Sequence, residues 1–175
     1  DLFELSRISS GALELRVEPI ALDQLVEETV SSLRPVAAGR GVQLDVDLPG
    51  LVGMGSGREM ERVVQNLMVN AVRHTQPGRT VRIRGGDDPS GAWLSVTDGC
   101  GGIPAEELPR VFDVGFRGTT ARSPEAAPLS SGAGLGLAIV RGLVAAQDGT
   151  VSVRNVPQGC CFTVRLPAAA LARAS

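Results

Sequence analysis

Residues 55–78, GSGREMERVVQNLMVNAVRHTQPG, most constrain the fold, because they predict one long amphipathic helix. Apolar residues recur in it at three- and four-residue steps, the spacing of a single buried helical face. These residues are Val63, Val64, Leu67, Ala71 and Val72. Ser56 can begin the helix, and Pro77-Gly78 can end it. A helix with one apolar face must pack on another layer of structure, so the segment predicts a layered domain.

The second layer is predicted by short segments in which apolar and polar residues alternate. Strands are expected at residues 42–48, 80–84, 92–98, 150–156 and 160–166. Further helices are expected at residues 19–41, 105–112 and 134–149, with Asp23 as a cap of the first. Two hairpins with long helices between them favour an α+β two-layer sandwich. We expect one mixed, mostly antiparallel sheet covered on one face by about three helices.

The length of 175 residues suits one domain with its own core. Residues 18–167 hold the predicted elements, residues 1–17 resemble the end of a helix and a linker, and residues 168–175 a tail. The chain begins with Asp in mid-pattern, so we expect it to be part of a longer protein.

Composition excludes several classes of protein. All 17 basic residues are arginine, so the lysine that a P-loop or a eukaryotic-type protein kinase requires is missing. The net charge of −2 does not favour binding to nucleic acid or to an anionic membrane. The cysteines are Cys100, Cys160 and Cys161, without CxxC spacing, which predicts small buried hydrophobic residues in a reducing compartment.

A second stripe follows the long helix. It consists of Arg62, Asn66, Asn70 and Arg73, at steps of four, four and three residues. A solvent-exposed face would explain the arginines, but each mid-helix asparagine costs roughly 0.5 kcal/mol of helix propensity. An amide oxygen can bind Mg²⁺ beside phosphates, and Arg73 could pair with those phosphates.

The segment VTDGCGGIP, residues 96–104, ends a predicted strand in Asp98. A carboxylate at a strand end can accept a hydrogen bond from an exocyclic amino group. The glycines that follow let a flat ring approach the backbone closely. The alternative is a simple turn, since Asp-Gly is a common turn dipeptide.

The segment SSGAGLGLAIV, residues 130–140, places glycines at 132, 134 and 136 directly before a helix. This spacing does not fit GxGxxG, so a dinucleotide fingerprint is excluded. Backbone N–H groups at a helix start that follows a glycine-rich loop can bind an anion. The alternative is that the glycines form only a flexible loop that caps the helix. Residues 117–133 are typical of a lid. Arg117 at its entrance could reach a phosphate or be a surface residue.

In this order, these stretches resemble the N, G1, F and G2 boxes of bacterial two-component sensor histidine kinases. The boxes belong to the Bergerat-type (GHKL) ATP-binding domain, which is shared with gyrase, Hsp90 and MutL. The resemblance covers about residues 19–167. It implies bound ATP and Mg²⁺, a separate dimerisation and histidine phosphotransfer domain, and a response regulator as partner. It also implies a membrane-anchored homodimeric parent, of which this chain is a cytoplasmic, monomeric part.

The resemblance also implies roles for individual residues. Asn70 would ligate Mg²⁺, with Asn66 as the polar residue one turn earlier. Arg73 would contact phosphate, His74 would lie beside adenine, and Asp98 would read the adenine amino group. The remaining nucleotide-binding positions are Cys100, Gly102, Ile103, Gly132, Gly134, Leu135, Gly136 and Leu137. The catalytic set would be Asn66, Asn70, Arg73 and Arg117.

Two residues depart from the pattern of the resembled family. Cys100 replaces the usual first G1 glycine, and Gly115 replaces a common aromatic residue of the F box. A degenerate interaction module without nucleotide therefore stays an alternative, as does a GHKL-type ATPase. The ATPase is disfavoured by Asn66, which stands where those enzymes carry a water-activating glutamate. An anti-sigma-factor serine kinase is disfavoured by residues 1–17, which resemble the end of a dimerisation hairpin.

His74 is the one histidine of the chain and lies inside the N box. The phosphoacceptor of the resembled kinases lies on the separate helical hairpin. We therefore expect His74 not to be the acceptor, and the chain not to phosphorylate itself.

Overall fold

A computed structural model describes residues 2–118 and 134–169. The helices are α1 (Leu2–Ser9), α2 (Leu22–Gly39), α3 (Gly57–His74) and α4 (Gly136–Ala145). The strands are β1 (Glu18–Ala21), β2 (Gln43–Asp47), β3 (Val52–Gly55), β4 (Thr80–Asp88), β5 (Gly91–Thr97), β6 (Thr150–Val156) and β7 (Gly159–Arg165). A short 3₁₀ helix spans Leu108–Arg110.

The main sheet has five strands in the order β2-β4-β5-β7-β6. The β2–β4 pair is parallel and the other three pairs are antiparallel. One row of apolar residues crosses four strands in register, formed by Ile83, Val96, Phe162 and Val153. The expectation of a mixed, mostly antiparallel sheet is confirmed.

Helices α2, α3 and α4 share one core with one face of this sheet. Alternate residues of the central strands are buried in it: Val81 and Ile83, Leu94 and Val96, Phe162 and Val164. The predicted apolar stripe of α3 is confirmed, since each of its five residues is at most 1% exposed. Arg82, between Val81 and Ile83, is exposed because successive residues of a strand face opposite sides. The domain is therefore a two-layer sandwich.

A second, two-stranded antiparallel sheet of β1 and β3 was not predicted. Residues 19–21 were expected to begin a helix, but they pair with β3, and α2 begins at Leu22 after Ala21. The proposed cap Asp23 lies instead inside the first turn. β3 carries no strand signal because two of its four residues are glycine. A Cβ at Gly53 would lie 2.7 Å from Cδ1 of Leu22, so the strand packs directly on the start of α2.

Three further boundaries differ from expectation. β4 continues past residue 84 to Asp88, because residues 85–88 pair with β5 as far as Asp88 opposite Gly91. The helix expected at residues 105–112 is only the 3₁₀ helix Leu108–Arg110, which contains a proline. The helix expected from residue 134 begins at Gly136.

Helix α1 packs on the domain. The Glu4 carboxylate accepts a hydrogen bond from Arg62 of α3, and a Cβ at Gly142 of α4 would lie 2.8 Å from Cγ2 of Ile8. The boundary expected between residues 17 and 18 stays a prediction, as does that of the C-terminal tail, of which residues 170–175 lie outside the described part. Within residues 2–118 and 134–169, none of the helices has the length and apolar character needed to cross a bilayer.

Candidate functional site

Asp98 follows the last residue of β5 and is 4% exposed. Its backbone N–H donates to the carbonyl of Cys160, at 2.9 Å. Its Oδ1 accepts backbone N–H bonds from Cys100 and Cys160, both at 3.1 Å. These donors fix the orientation of the carboxylate at the ends of β5 and β7.

Gly159 makes this position of Asp98 possible. A Cβ at residue 159 would lie 1.8 Å from the backbone carbonyl oxygen of Asp98, so only glycine fits beside it. From the sequence, this glycine only falls between the strands expected at residues 150–156 and 160–166, because its long-range contact with Asp98 leaves no local signal.

The loop after Asp98 is held by Asn155 of β6. Asn155 Oδ1 accepts from the N–H of Ile103 at 2.9 Å, and its Nδ2 donates to the carbonyl of Ile103 at 2.8 Å. Positive φ angles in this loop fall on Gly101 and Gly102, whereas Cys100 has none. The cysteine therefore replaces a glycine without backbone strain. Asn155 was missed, since a lone exposed asparagine near the end of a strand has no distinctive pattern.

The C-terminal end of α3 is joined to the same loop. The N–H of Gly99 donates to Oγ1 of Thr75 at 3.0 Å, and the N–H of Gln76 donates to the carbonyl of Gly99 at 3.2 Å. The guanidinium of Arg79 also donates to that carbonyl, at 3.3 Å. The helix with the two asparagines and the loop with the buried acid are thus one connected unit.

Asn66 connects α3 to the start of α4. Its Nδ2 donates to the carbonyl of Arg62 at 2.9 Å. A Cβ at Gly136, the first residue of α4, would lie 3.2 Å from Asn66 Oδ1, so the amide faces this helix start. Asn70, one turn later, is half-buried. Leu135 is 8% exposed and belongs to the core, and Leu137 packs against that core.

Positive charge gathers at the end of α3. Burial lowers the pKa of Arg73, and the nearby guanidinium groups of Arg40 and Arg117 lower it further. Arg40 also donates from Nη2 to the carbonyl of Arg73, at 3.0 Å. Three like charges in one region favour the binding of an anion. Arg40 had not been predicted as a site residue.

His74 lies half-buried at the last position of α3. Burial lowers the pKa of its imidazole, the charges of Arg73 and Arg40 lower it further, and Asp98 opposes them. A histidine whose pKa lies below 6.5 is mainly neutral at pH 7, so it presents an uncharged ring next to the acid.

The two ends of the expected lid are joined. The N–H of Gly115 donates to the carbonyl of Gly134 at 3.1 Å. Gly115 has φ of +76°, which explains why glycine stands in the F box where an aromatic was expected. Phe112 packs edge-on against Phe162 with 6.0 Å between ring centroids, which anchors this segment to β7. Gly132 and the other residues 119–133 lie outside the described residues.

Comparison with known proteins identifies the family of the chain. Residues 55–170 match the family of histidine kinase-, DNA gyrase B- and HSP90-like ATPases. The chain is 38% identical over 169 residues to the probable sensor histidine kinase TcrY of Mycobacterium tuberculosis, covering 95% of this chain and 34% of TcrY. It is 30% identical over 169 residues to the histidine-protein kinase BaeS of Escherichia coli, covering 95% of this chain and 35% of BaeS. The chain thus spans about a third of the length of these relatives.

Solved structures show the same fold. The mycobacterial sensor histidine kinase MprB is 30% identical with a TM-score of 0.75, covering 86% of this chain and 97% of that one. The structure of full-length ShkA in complex with AMPPNP is 25% identical with a TM-score of 0.78, covering 95% of this chain and 34% of that one. The chain belongs to the histidine kinase-, DNA gyrase B- and HSP90-like ATPase family. Within this family its relatives are sensor histidine kinases, as the four motifs indicated.

Proposed function

We propose that this chain is the ATP-binding catalytic domain of a sensor histidine kinase. The whole protein would transfer the γ-phosphate of ATP to a histidine outside this chain, in two-component signal transduction. The observation that carries the proposal is Asp98, a buried carboxylate oriented by two backbone N–H donors in a domain of this ATPase family.

At the base-binding end, Asp98 would accept a hydrogen bond from the exocyclic amino group of adenine. Guanine presents a carbonyl oxygen at the corresponding ring position, which a carboxylate repels, so the site would select ATP over GTP. The neutral ring of His74 would lie beside the base. The backbone of Gly102 and Ile103, held by Asn155, would border the base on the opposite side.

At the phosphate end, the amide oxygens on α3 suit a magnesium ion, since Mg²⁺ binds neutral oxygen ligands beside phosphates and water. Asn70 would hold the ion, which neutralises phosphate charge when bound, and Asn66 would support it. Arg73 and Arg117 would bind the phosphates. Backbone N–H groups at the start of α4 would contribute as well, from Gly134, Leu135, Gly136 and Leu137, with Gly132 in the same role. Catalysis would rest on positioning and on charge neutralisation.

Asn66 distinguishes this proposal from hydrolysis by a gyrase- or Hsp90-type ATPase. An amide cannot remove a proton from water as a carboxylate can. Nδ2 of Asn66 also donates a hydrogen bond to the carbonyl of Arg62. We expect negligible steady-state release of phosphate by this chain with MgATP. Sustained turnover would favour the ATPase instead.

Titration calorimetry with MgATP and MgGTP tests the proposal. The wild type should bind MgATP more tightly than MgGTP. Asp98→Asn keeps an oxygen acceptor for the two backbone donors but loses the charged hydrogen bond, worth roughly 1.5–3 kcal/mol, or about 10–150-fold in affinity. Asp45→Asn, at an exposed residue of β2, is the matched control and should bind as the wild type does. Unchanged affinity and base preference in Asp98→Asn would refute the adenine assignment.

Phosphotransfer is tested with the hairpin domain of the parent protein supplied separately. Radiolabel from γ-labelled ATP should appear on the hairpin and not on this chain, because His74 is not an acceptor in the proposal. Label on this chain itself would contradict it. The membrane anchor, the homodimeric parent, the response regulator and the cytoplasmic location of this domain stay predictions.

A further inference from the structure

Asp98, Cys100 and Cys160 form a compact group, here called the thiol cluster. Their ligand atoms all lie within 4.8 Å of one another. Sγ of Cys100 lies 3.5 Å from Sγ of Cys160, which in turn lies 3.1 Å from Oδ2 and 3.3 Å from Oδ1 of Asp98. Cys160 is 1% exposed and Cys100 is partly exposed, so the cluster is buried on one side and accessible on the other.

These separations are close to the edges of a metal-ligand tetrahedron. With Zn–S about 2.3 Å and Zn–O about 2.0 Å, tetrahedral angles place two sulfurs about 3.8 Å apart, and a sulfur and an oxygen about 3.5 Å apart. The observed 3.5 Å and 3.1–3.3 Å differ by a few tenths of an ångström. Two edges of the thiol cluster are therefore already close to their metal-bound length, and the third, from Sγ of Cys100 to the Asp98 carboxylate, lies within 4.8 Å.

The arrangement of protons in the thiol cluster also suits a metal. The single thiol proton of Cys160 faces both oxygens of Asp98, and a proton of either thiol can bridge the two sulfurs. A divalent ion can replace the shared protons and bind all the acceptors together.

We infer that Asp98, Cys100 and Cys160 bind a thiophilic divalent cation of the Zn²⁺ class, and that the bound ion excludes nucleotide from Asp98. Thiolate with carboxylate is a donor set that Zn²⁺ accepts and Mg²⁺ avoids. Binding would release the two thiol protons to solvent and leave an open fourth position. The exclusion of nucleotide rests on the proposed function, whereas the metal site does not.

Cobalt(II) titration of the reduced chain without nucleotide tests the metal site. We expect thiolate-to-cobalt charge-transfer absorption and the intense visible bands of tetrahedral cobalt, saturating at one ion per chain and lost when zinc is added. Cys100→Ser and Cys160→Ser should each weaken binding by at least about tenfold, because loss of a metal ligand costs no less than loss of a residue that only supports one. Cys161→Ser is the matched control, because Cys161 is also buried but contacts Thr163, and it should leave the spectrum unchanged.

A second measurement needs no variant. Zinc should protect Cys100 from alkylation in the wild type, read by peptide mass spectrometry, and leave Cys161 unaffected. Absence of the charge-transfer band would overturn the inference, as would equal loss of the band in Cys161→Ser. A disulfide between Cys100 and Cys160 in place of metal binding would overturn it too.

The exclusion of nucleotide is tested by measuring MgATP affinity with and without saturating zinc, in the wild type and in Cys160→Ser. Chelation of zinc by the triphosphate is the same in both proteins, so it cancels in the comparison. We expect zinc to weaken MgATP binding at least tenfold more in the wild type. Equal effects would overturn the exclusion. Failure of the proposed function is recognised separately, by unchanged MgATP binding in Asp98→Asn.

Discussion

Gly159 and Asp98 are in backbone contact so close that residue 159 has no room for a side chain. A Cβ there would lie 1.8 Å from the Asp98 carbonyl oxygen, 2.7 Å from its carbonyl carbon and 3.1 Å from Oδ1. The strand β7 thus contacts the backbone of Asp98, the residue proposed to bind the adenine base. It also supplies the Cys160 N–H that orients the Asp98 carboxylate.

Gly159→Ala should therefore displace Asp98. Overpacking against rigid backbone typically costs about 1–3 kcal/mol, so the free energy of unfolding in urea should fall by at least that amount. MgATP affinity should fall with it. The control is Gly39→Ala at the end of α2, where a Cβ meets nothing within 4 Å. There the helix should be unchanged or more stable by about 0.5–1 kcal/mol. Equal stability of both variants would contradict the contact.

Asn155→Ala should loosen the loop that follows Asp98. It removes two hydrogen bonds to the backbone of Ile103, each worth about 0.5–1.5 kcal/mol net. We expect a loss of about 1–3 kcal/mol in urea denaturation and faster hydrogen exchange at residues 100–103. Ser152→Ala, an exposed position on the same strand, should change neither. Unaltered exchange in Asn155→Ala would show that the loop does not depend on this side chain.

His74 should make the stability of the domain fall in weak acid. Its folded-state pKa lies below 6.5, mainly because of burial, so the unfolded chain takes up the proton more readily. The contribution of His74 is complete above about pH 7.5 and is lost as pH falls below about 6.5 toward the folded-state pKa. The drop in melting temperature between about pH 7.5 and 5.5 should be smaller in His74→Gln than in the wild type. An identical drop would mean that burial of the imidazole has no thermodynamic effect.

Arg40→Gln should raise the pKa of His74, because it removes a positive charge that disfavours the imidazolium. The chain has a single histidine, so its ring signals in an NMR titration need no assignment. Arg34→Gln, at an exposed position of α2, the helix that ends just before Arg40, should leave the pKa of His74 unchanged. MgATP binding should also weaken in Arg40→Gln alone, since Arg40 adds to the charge at the phosphate end. A pKa that stays constant or falls would contradict the electrostatic assignment.

The fold could be predicted where one segment carries its own periodicity. The apolar stripe of α3 and the alternation in β5 and in residues 162–165 of β7 follow from local spacing, and the structure confirms them. β1 and β3 escaped prediction because a proline and two glycines mask short strands whose stability comes from each other and from the core. The 3₁₀ helix at Leu108–Arg110 shows the converse, since a helical pattern was overridden by its proline.

The candidate site likewise contains residues that could be predicted from the sequence and residues that could not. The residues proposed to bear the chemistry stand in motifs with fixed spacing, so Asn66, Asn70, Asp98 and the glycines before α4 could be named from sequence. The residues that hold these side chains in position could not be named from the sequence. Thr75 reaches across 24 positions to Gly99, and Asn155 across 52 positions to Ile103. Such partners are fixed by tertiary packing, and a single sequence contains no trace of it.

The hydrogen bonds that join Thr75 and Gln76 to Gly99 have a consequence for the energetics of recognition. They assemble the amide-bearing helix and the acid-bearing loop during folding, before any ligand arrives. The entropy of aligning these two regions is therefore lost once, when the chain folds, and not again at each binding event. Among ligands that carry the same base, differences in affinity should then arise mostly at the outer phosphates, while the base-binding part of the site keeps one fixed geometry.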